Sequence, residues 1–371
     1  MGICTTILGP ILPALSARWN LNDTHAGALF TAQFVGSSLG GLLAAIHPYR
    51  CTLIGFITVT TAATLLTVAN PFSAIPVLFV FGLGVGLVLT GINLTVSSTS
   101  GPKRGVTLSW LNFFWSLGAT LCPILAGAFI AHRGLVVFLL MLPVWCICMT
   151  VLIGIHGEFR ANNRVLPVQG ARKAGNSVWF FVGYFAVLLF LYVGIETALG
   201  GWLSTLATRL RNVGDMGTFA VSVSSFFWLA LLVGRALSPL LLKRIPETIL
   251  QPVAVALSIL SICLLAMART YTGVAIASSV AGFSLAPVFP LSLSFFLSRA
   301  DQSKSAGIVF AICGLGGAVL PWMTGAVSTY RQSLQWGLTI PLASAVLMLG
   351  LSLNYVLFIR ARPSVESSVS S

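Results

Sequence analysis

The residues best suited to chemistry lie in one short stretch, Tyr192-Val-Gly-Ile-Glu196, which continues to Gly200-Gly201-Trp202. Glu196 is the only acidic residue inside a long apolar run. A carboxylate that is placed at membrane depth is costly, so it usually serves a ligand, an ion or a structural ion pair. Tyr192 precedes Glu196 by four residues, so the two side chains share one face of a helix.

Three amide side chains, Gln33, Asn93 and Asn112, also fall inside apolar runs. An amide both donates and accepts hydrogen bonds, which suits a polyhydroxylated ligand. Trp115 follows Asn112 by three residues, and a polar group beside an aromatic ring is a typical sugar-binding arrangement. For each amide, a hydrogen bond between helices is an equally good interpretation.

Arg235 is the only cation well inside an apolar run, and it is the structural alternative for Glu196. Counting along the predicted helices places Glu196 about 15 Å and Arg235 about 27 Å from the same membrane surface. This separation argues against a direct ion pair and favours a Glu196 side chain that faces a cavity. There it is expected to bind substrate hydroxyls, and it is also the candidate for carrying a coupling ion, H⁺ or Na⁺.

A glycine pair lies just beyond Glu196. Glycine weakens a helix, so Gly200 and Gly201, followed by Trp202, are candidate gate or hinge residues. Close helix packing without movement is the alternative for each glycine.

Composition identifies a membrane protein of several spans. Of the 371 residues, 57% are hydrophobic and 7% are charged, and mean hydropathy is +0.98. The formal net charge of +13 comes from Lys and Arg in short loops, so we expect a lipid bilayer and no nucleic acid as partner. The cysteines lack metal-ligand spacing, the histidines lie near loop ends, and no nucleophile motif is present. We therefore predict no enzyme activity, no metal and no cofactor.

Apolar runs and loop signals predict an all-α protein with twelve transmembrane helices. They cover residues 2–17, 25–46, 51–69, 72–96, 106–131, 135–155, 178–206, 217–242, 249–268, 271–298, 305–329 and 333–359. The expected organisation is an N-terminal bundle of six helices (1–155), a cytoplasmic linker (156–177) and a C-terminal bundle with a short cytoplasmic tail (178–371). The first span begins almost at Met1, which leaves open whether residues precede it.

Basic residues set the expected orientation. Thirteen Lys and Arg lie on the side of the central loop and six on the other. Cytoplasmic loops carry the basic excess, so the central loop and C-terminus are expected in the cytoplasm, in a plasma or inner membrane.

The two halves repeat one another. Gly118, Pro123 and Gly127 recur as Gly316, Pro321 and Gly325 at an offset of 198 residues. The segment Leu8–Arg18 matches Leu199–Arg209 at an offset of 191, and Gly40 matches Gly234 at 194. Parallel repeats of this kind place a binding cavity near the midplane, where the halves meet.

With these features the chain resembles a major facilitator superfamily transporter and, more narrowly, the fucose:proton symporter family of sugar transporters. The resemblance rests on four motifs: Tyr192-Val-Gly-Ile-Glu196 with Gly200-Gly201-Trp202; Gly82-x-Gly84-x-Gly86 leading to Asn93; Leu285-Ala-Pro-Val-Phe-Pro290; and Gly314-x-Gly316-Gly317 with Pro321-Trp322. The fucose transporter uses acidic residues in its first and fourth spans, and neither predicted span has one here.

The resemblance implies a transporter that moves a small polar solute, most simply a sugar, by alternating access, as a symporter or as a facilitator. We expect it to act as a monomer. Two other functions fit the same fold: export of drugs or lipids, which favours an apolar cavity, and membrane sensing without transport. Short loops and the lack of a sizeable soluble domain argue against the sensor.

Overall fold

In the computed structural model, the described residues are 1–44, 46–99, 104–155, 176–210, 217–299 and 304–360. Within these ranges the chain forms α-helices and no strand. Most of the predicted linker and the C-terminal tail lie outside the described residues, as do the basic residues of that linker.

The residues of the first half that the structure describes form seven helices. They are α1 (Gly2–Thr6), α2 (Leu8–Trp19), α3 (Asp23–Ala44), α4 (Pro48–Val68), α5 (Pro71–Thr99), α6 (Arg104–Arg133) and α7 (Leu135–Ile155). Pro48 and Pro71 begin their helices, where a missing backbone N–H costs nothing. Asn70 caps α5 by accepting hydrogen bonds from the backbone N–H groups of Phe72 and Ser73.

In the described part of the second half, the chain forms nine helices. They are α8 (Asn176–Thr208), α9 (Gly217–Ser222), α10 (Ser224–Leu242), α11 (Glu247–Met267), α12 (Tyr271–Leu285), α13 (Val288–Arg299), α14 (Lys304–Arg331), α15 (Leu334–Gly337) and α16 (Thr339–Arg360).

Four predicted spans are interrupted rather than continuous: α1 and α2, α9 and α10, α12 and α13, and α15 and α16 each share one span. Proline explains three of the interruptions, since Pro10, Pro290 and Pro341 lack the N–H that would bond to the carbonyl four residues earlier. Eleven described segments are long and apolar enough to cross a membrane. The pair α1 and α2 supplies the twelfth predicted span.

Equivalent glycines make equivalent contacts in the two halves, which confirms the predicted repeat. Gly40 of α3 packs against the backbone of α5, and Gly234 of α10 packs against the end of α12. Gly118 of α6 approaches α1, just as Gly316 of α14 approaches α8. The fold therefore consists of two pseudo-symmetric bundles.

The ends of two equivalent helices repeat the pattern. Gly134 follows α6 with φ of 86°, and Gln332, which lies 198 positions later, follows α14 with φ of 54°. The halves meet where α3 packs on α14, α6 on α10, and α2 on α8. This contact surrounds the site.

Candidate functional site

The contact of α2 with α8 brings repeat-equivalent residues together. A side chain on Gly9 would lie 2.8 Å from the carbonyl oxygen of Gly200 and 3.1 Å from Cα of Gly201. Gly9 is the sequence equivalent of Gly200, so the pseudo-twofold axis passes through this contact. Backbones approach this closely only where Cβ is absent.

Next to this contact lies a cavity of about 140 Å³. Six helices line it: α1, α2, α3 and α6 from the first half, and α8 and α10 from the second. Its walls are Thr5, Thr6, Gly9, Phe30, Phe34, Trp115, Val193, Glu196, Thr197, Gly200, Gly201 and Trp228. Glu196 is the charged group in this wall, so its predicted position facing a cavity agrees with the structure.

Glu196 is also ion-paired. Its Oε1 lies 3.0 Å from Nη2 of Arg235, and the two side chains are 11% and 23% exposed. The same Nη2 donates to the Tyr192 hydroxyl at 3.2 Å. Tyr192 is fully buried, so it supports the arginine rather than lining the cavity.

The expectation that Glu196 and Arg235 lie too far apart for a direct pair was wrong. Tyr192 and Glu196 are one helical turn apart on α8, about 6 Å along its axis, and Arg235 contacts both. Counting Cα depth ignored the long aliphatic stem of arginine, which carries the guanidinium far from its backbone. The span of Arg235 is also interrupted between α9 and α10.

Trp115 connects this pair to the first half. The guanidinium of Arg235 lies 5.7 Å from the centre of the Trp115 ring, within the range of a cation–π contact. The Trp115 indole N–H donates to Thr5 Oγ1 at 3.3 Å. The sequence repeat pairs Thr5 with Glu196, and both line the cavity.

Aromatic rings form much of the remaining wall. Trp115 and Trp228 meet edge to face at 6.0 Å, and Phe30 lies 6.2 Å from Trp202. Rings of this kind offer flat apolar faces beside the carboxylate.

The three predicted amides have separate roles. Gln33 is 1% exposed and donates to the backbone oxygen of Thr5 at 3.1 Å. It therefore holds α3 against α1. Asn93 is half-buried and bonds to the carbonyl of Leu89 in its own helix.

Asn112 likewise bonds to its own helix, through the carbonyl of Leu108. Asn112 is exposed. It precedes Trp115 by three residues, so the two side chains differ by about 60° around α6 and by nearly one helical turn along it. Asn112 is not among the residues that line the cavity.

Helix α8 is continuous through the predicted hinge. Gly200 faces the Trp228 ring and Gly201 faces Phe30. In this state the two glycines therefore allow aromatic side chains of α10 and α3 to pack closely on α8. Trp202 is 1% exposed and its indole N–H donates to the Pro321 carbonyl in α14 at 3.0 Å.

A second ion pair closes the rim beyond the glycine contact. Asp23 begins α3, and its two carboxylate oxygens accept from Arg209 at 2.6 and 2.7 Å. Ser328 of α14 also donates to Asp23, and Thr24 N–H donates to Thr329 Oγ1 at 2.9 Å. The sequence placed Asp23 in a loop, whereas it is a buried helix residue. These contacts join the two halves at one end of the protein.

Sequence reasoning missed several residues of the site. Arg235 was excluded as a partner of Glu196 by the count of depth along the helices. Phe30 and Phe34 cannot be told apart by sequence from the many other apolar residues of a membrane helix. Trp228 was not among the predicted site residues. The repeat itself pointed to Thr5, because it is the partner of Glu196.

These features define a class of protein: a duplicated helical membrane protein with a small charged and aromatic cavity between its halves. The model of the Major Facilitator Superfamily matches residues 1–321. The chain therefore belongs to this superfamily of transporters and is not an enzyme, as the sequence predicted.

Two curated relatives and one solved structure illustrate the likeness. The chain is 23% identical to the "Glucose/mannose transporter GlcP" of Bacillus subtilis, over 95% of this chain and 91% of the relative. It is 24% identical to the "Sodium-dependent glucose transporter 1A" of Mus musculus, over 93% and 91%. The structure of the transporter FucP in the outward conformation matches with a TM-score of 0.63 and 17% identity, over 98% of each chain, which shows a common fold.

Proposed function

We propose that the protein carries a neutral sugar across the membrane by alternating access. The observation that carries this proposal is a cavity in which the Glu196 carboxylate lies beside the aromatic side chains of Trp115 and Trp228. Relatives that match over nine-tenths of the chain are named as glucose transporters. A carboxylate can accept hydrogen bonds from sugar hydroxyls, while aromatic faces pack on the apolar C–H faces of the ring.

A balanced charge favours a neutral substrate. Arg235 neutralises Glu196 from behind the cavity wall, so a ligand with its own charge would be left uncompensated. The threonines of the wall add hydroxyl groups that both donate and accept.

The size of the cavity supports a cycle of opening and closing. Its volume of about 140 Å³ is below the roughly 300–1,000 Å³ that is usual for ligand pockets. We infer that it widens when the substrate enters. Residues 1–155 and 178–371 would move as the two rocking units of a monomer.

The basic residues support one orientation. With the central loop and C-terminus in the cytoplasm, the rim formed by Asp23 and Arg209 faces outside, so this structure is closed to the exterior.

Coupling to H⁺ or Na⁺ is part of the proposal, and Glu196 is the group that would take the ion. Because Arg235 already neutralises this carboxylate, the ion would have to displace Arg235 in another state of the cycle. Uptake with and without an imposed proton or sodium gradient tests this step. Uptake by the wild type that ignores both gradients would refute coupling and leave sugar transport intact.

Proteoliposomes that contain the full chain test the function itself. A panel of radiolabelled hexoses and pentoses should include at least one sugar that accumulates above protein-free vesicles. Glu196→Ala should abolish this uptake. Lack of uptake for the whole panel, together with uptake of an apolar drug or a lipid, would favour the exporter instead.

A further inference from the structure

Two tryptophans, Trp115 and Trp228, line the cavity, and a third, Trp202, packs against the lining residue Phe30; their indole N–H groups differ in their hydrogen bonds. Trp115 donates to Thr5 Oγ1, and Trp202 donates to the carbonyl of Pro321. The N–H of Trp228 is buried and has no acceptor among the described residues. A buried donor without a partner is destabilising, so native proteins seldom keep one without a reason.

Trp228 is held firmly although its N–H is unpaired. The residue is 5% exposed, and its ring lies edge to face with Trp115 at 6.0 Å and with Phe227 at 5.1 Å. The ring also covers Gly200 so closely that a Cβ there would lie 2.5 Å from Trp228 Cζ2. The indole therefore cannot turn easily to find another acceptor.

The same side chain lines the cavity with Glu196. A sugar brings several hydroxyl oxygens, each of which accepts a hydrogen bond. The widening of the cavity that is part of the proposed function would give such a hydroxyl access to the indole nitrogen.

We propose that Trp228 is a specificity-determining residue whose indole N–H donates a hydrogen bond to one hydroxyl oxygen of the transported sugar. This inference rests on the proposed function. Glu196 then supplies the acceptor and Trp228 the donor, from α8 and α10 of the same half. A site built to bond a hydroxyl rejects the analogue that lacks it, because the protein group is again left unpaired.

Deoxy sugars test this contact directly. For the wild type, one monodeoxy analogue of the transported sugar should compete for uptake about tenfold less well than the parent sugar, which is the net value of one hydrogen bond. Trp228→Phe keeps an aromatic ring and removes the N–H. In this variant the parent sugar should lose affinity and the difference from that one analogue should disappear, while the other deoxy positions keep their wild-type ratios.

Two further variants separate binding from folding. Trp179→Phe removes an indole N–H from an exposed site on α8 and should leave all ratios unchanged. A benzothiophene analogue of tryptophan, incorporated at position 228, keeps the shape and lacks the N–H, so it should reproduce Trp228→Phe even if that variant folds poorly.

The outcomes are distinct. Wild-type deoxy ratios retained in both variants at position 228 would overturn the assignment while sugar transport stands. Absence of uptake of any sugar by the wild type would overturn the proposed function and this inference together.

Discussion

Two buried carboxylates take part in ion pairs, and the pairs differ in what they connect. Asp23 and Arg209 join the first half to the second at the rim, through two short contacts to an arginine that is 44% exposed. Glu196 and Arg235 both belong to the second half and meet through one contact of 3.0 Å beside the cavity. The rim pair must break when the halves separate, whereas separation of the halves does not by itself break the central pair.

The difference shows how one kind of interaction serves two purposes. An ion pair that must break in every cycle has to be weak, and exposure of its arginine to water and salt keeps it so. A pair that keeps a carboxylate charged beside a ligand is better protected from water, since removal of either partner leaves a buried charge.

Arg235→Gln should have the largest effect. It leaves the Glu196 carboxylate buried without its cation, which costs roughly 3–5 kcal/mol. Both the melting temperature of the purified protein and sugar uptake should fall sharply. The double variant with Glu196→Gln should recover much of the melting temperature and none of the uptake. Equal melting temperatures of the single and the double variant would show that the ion pair of Glu196 and Arg235 does not stabilise the fold.

Gly200→Ala should reduce uptake by roughly tenfold, because the new methyl group meets the Trp228 ring where Gly9 also approaches. Gly183→Ala is the matched control on the same helix, since nothing lies within 4 Å of its Cβ position. This control should transport normally and be as stable as the wild type or slightly more so. Equal uptake by the two variants would contradict a functional contact at Gly200.

Asp23→Asn should increase the population of the state in which the rim is open, without stopping transport. Loss of a partly exposed pair is worth about 1 kcal/mol, or roughly fivefold in population. The measurement uses spin labels at the exposed positions Phe72 and Met267, one in each half, in a protein without its native cysteines. The variant should show a larger fraction of long distances between the two labels than the protein with Asp23.

Arg18 is a natural control for the rim. It is the repeat equivalent of Arg209, yet it bonds to the Thr67 carbonyl within its own half. Arg18→Gln should leave the distance distribution as in the wild type. A shift as large as that of Asp23→Asn would mean that rim charge in general, and not the pair between halves, sets the balance.

Asn112→Ala should have the smallest effect, a rise in KM for uptake of roughly two- to fivefold, because its amide bonds to its own helix and is not among the groups that line the cavity. Asn93→Ala, which removes a similar bond within α5, is the comparison. A loss of uptake as severe as that of Glu196→Ala would place Asn112 at the substrate instead.

Much of the architecture follows from the sequence, because the period and length of apolar runs determine helices in a membrane. The offsets of Gly40, Gly118 and their equivalents predicted a duplicated bundle, and in the structure these equivalent glycines make equivalent contacts in both halves. Glu196 was identified because an acid inside an apolar run has few explanations.

The remaining site could not be predicted for physical reasons. Arg235 reaches Glu196 with its long side chain. A count of residues along the helix axis gives the depth of Cα but not the direction of that side chain. Phe30 faces the cavity, but membrane helices carry apolar residues towards lipid and protein alike, so their type does not reveal their direction. Asp23 lies at a helix start, where sequence signals for a loop and for a first turn overlap.

Sugar binding to the purified full-length protein tests the central claim most directly. Isothermal titration of the wild type with its transported sugar should give a saturable heat, and Glu247→Gln, which changes an exposed acid at the start of α11, should bind with the same affinity. Glu196→Gln should show no measurable binding while keeping a cooperative melting transition. Binding by Glu196→Gln within twofold of the wild type would contradict the account.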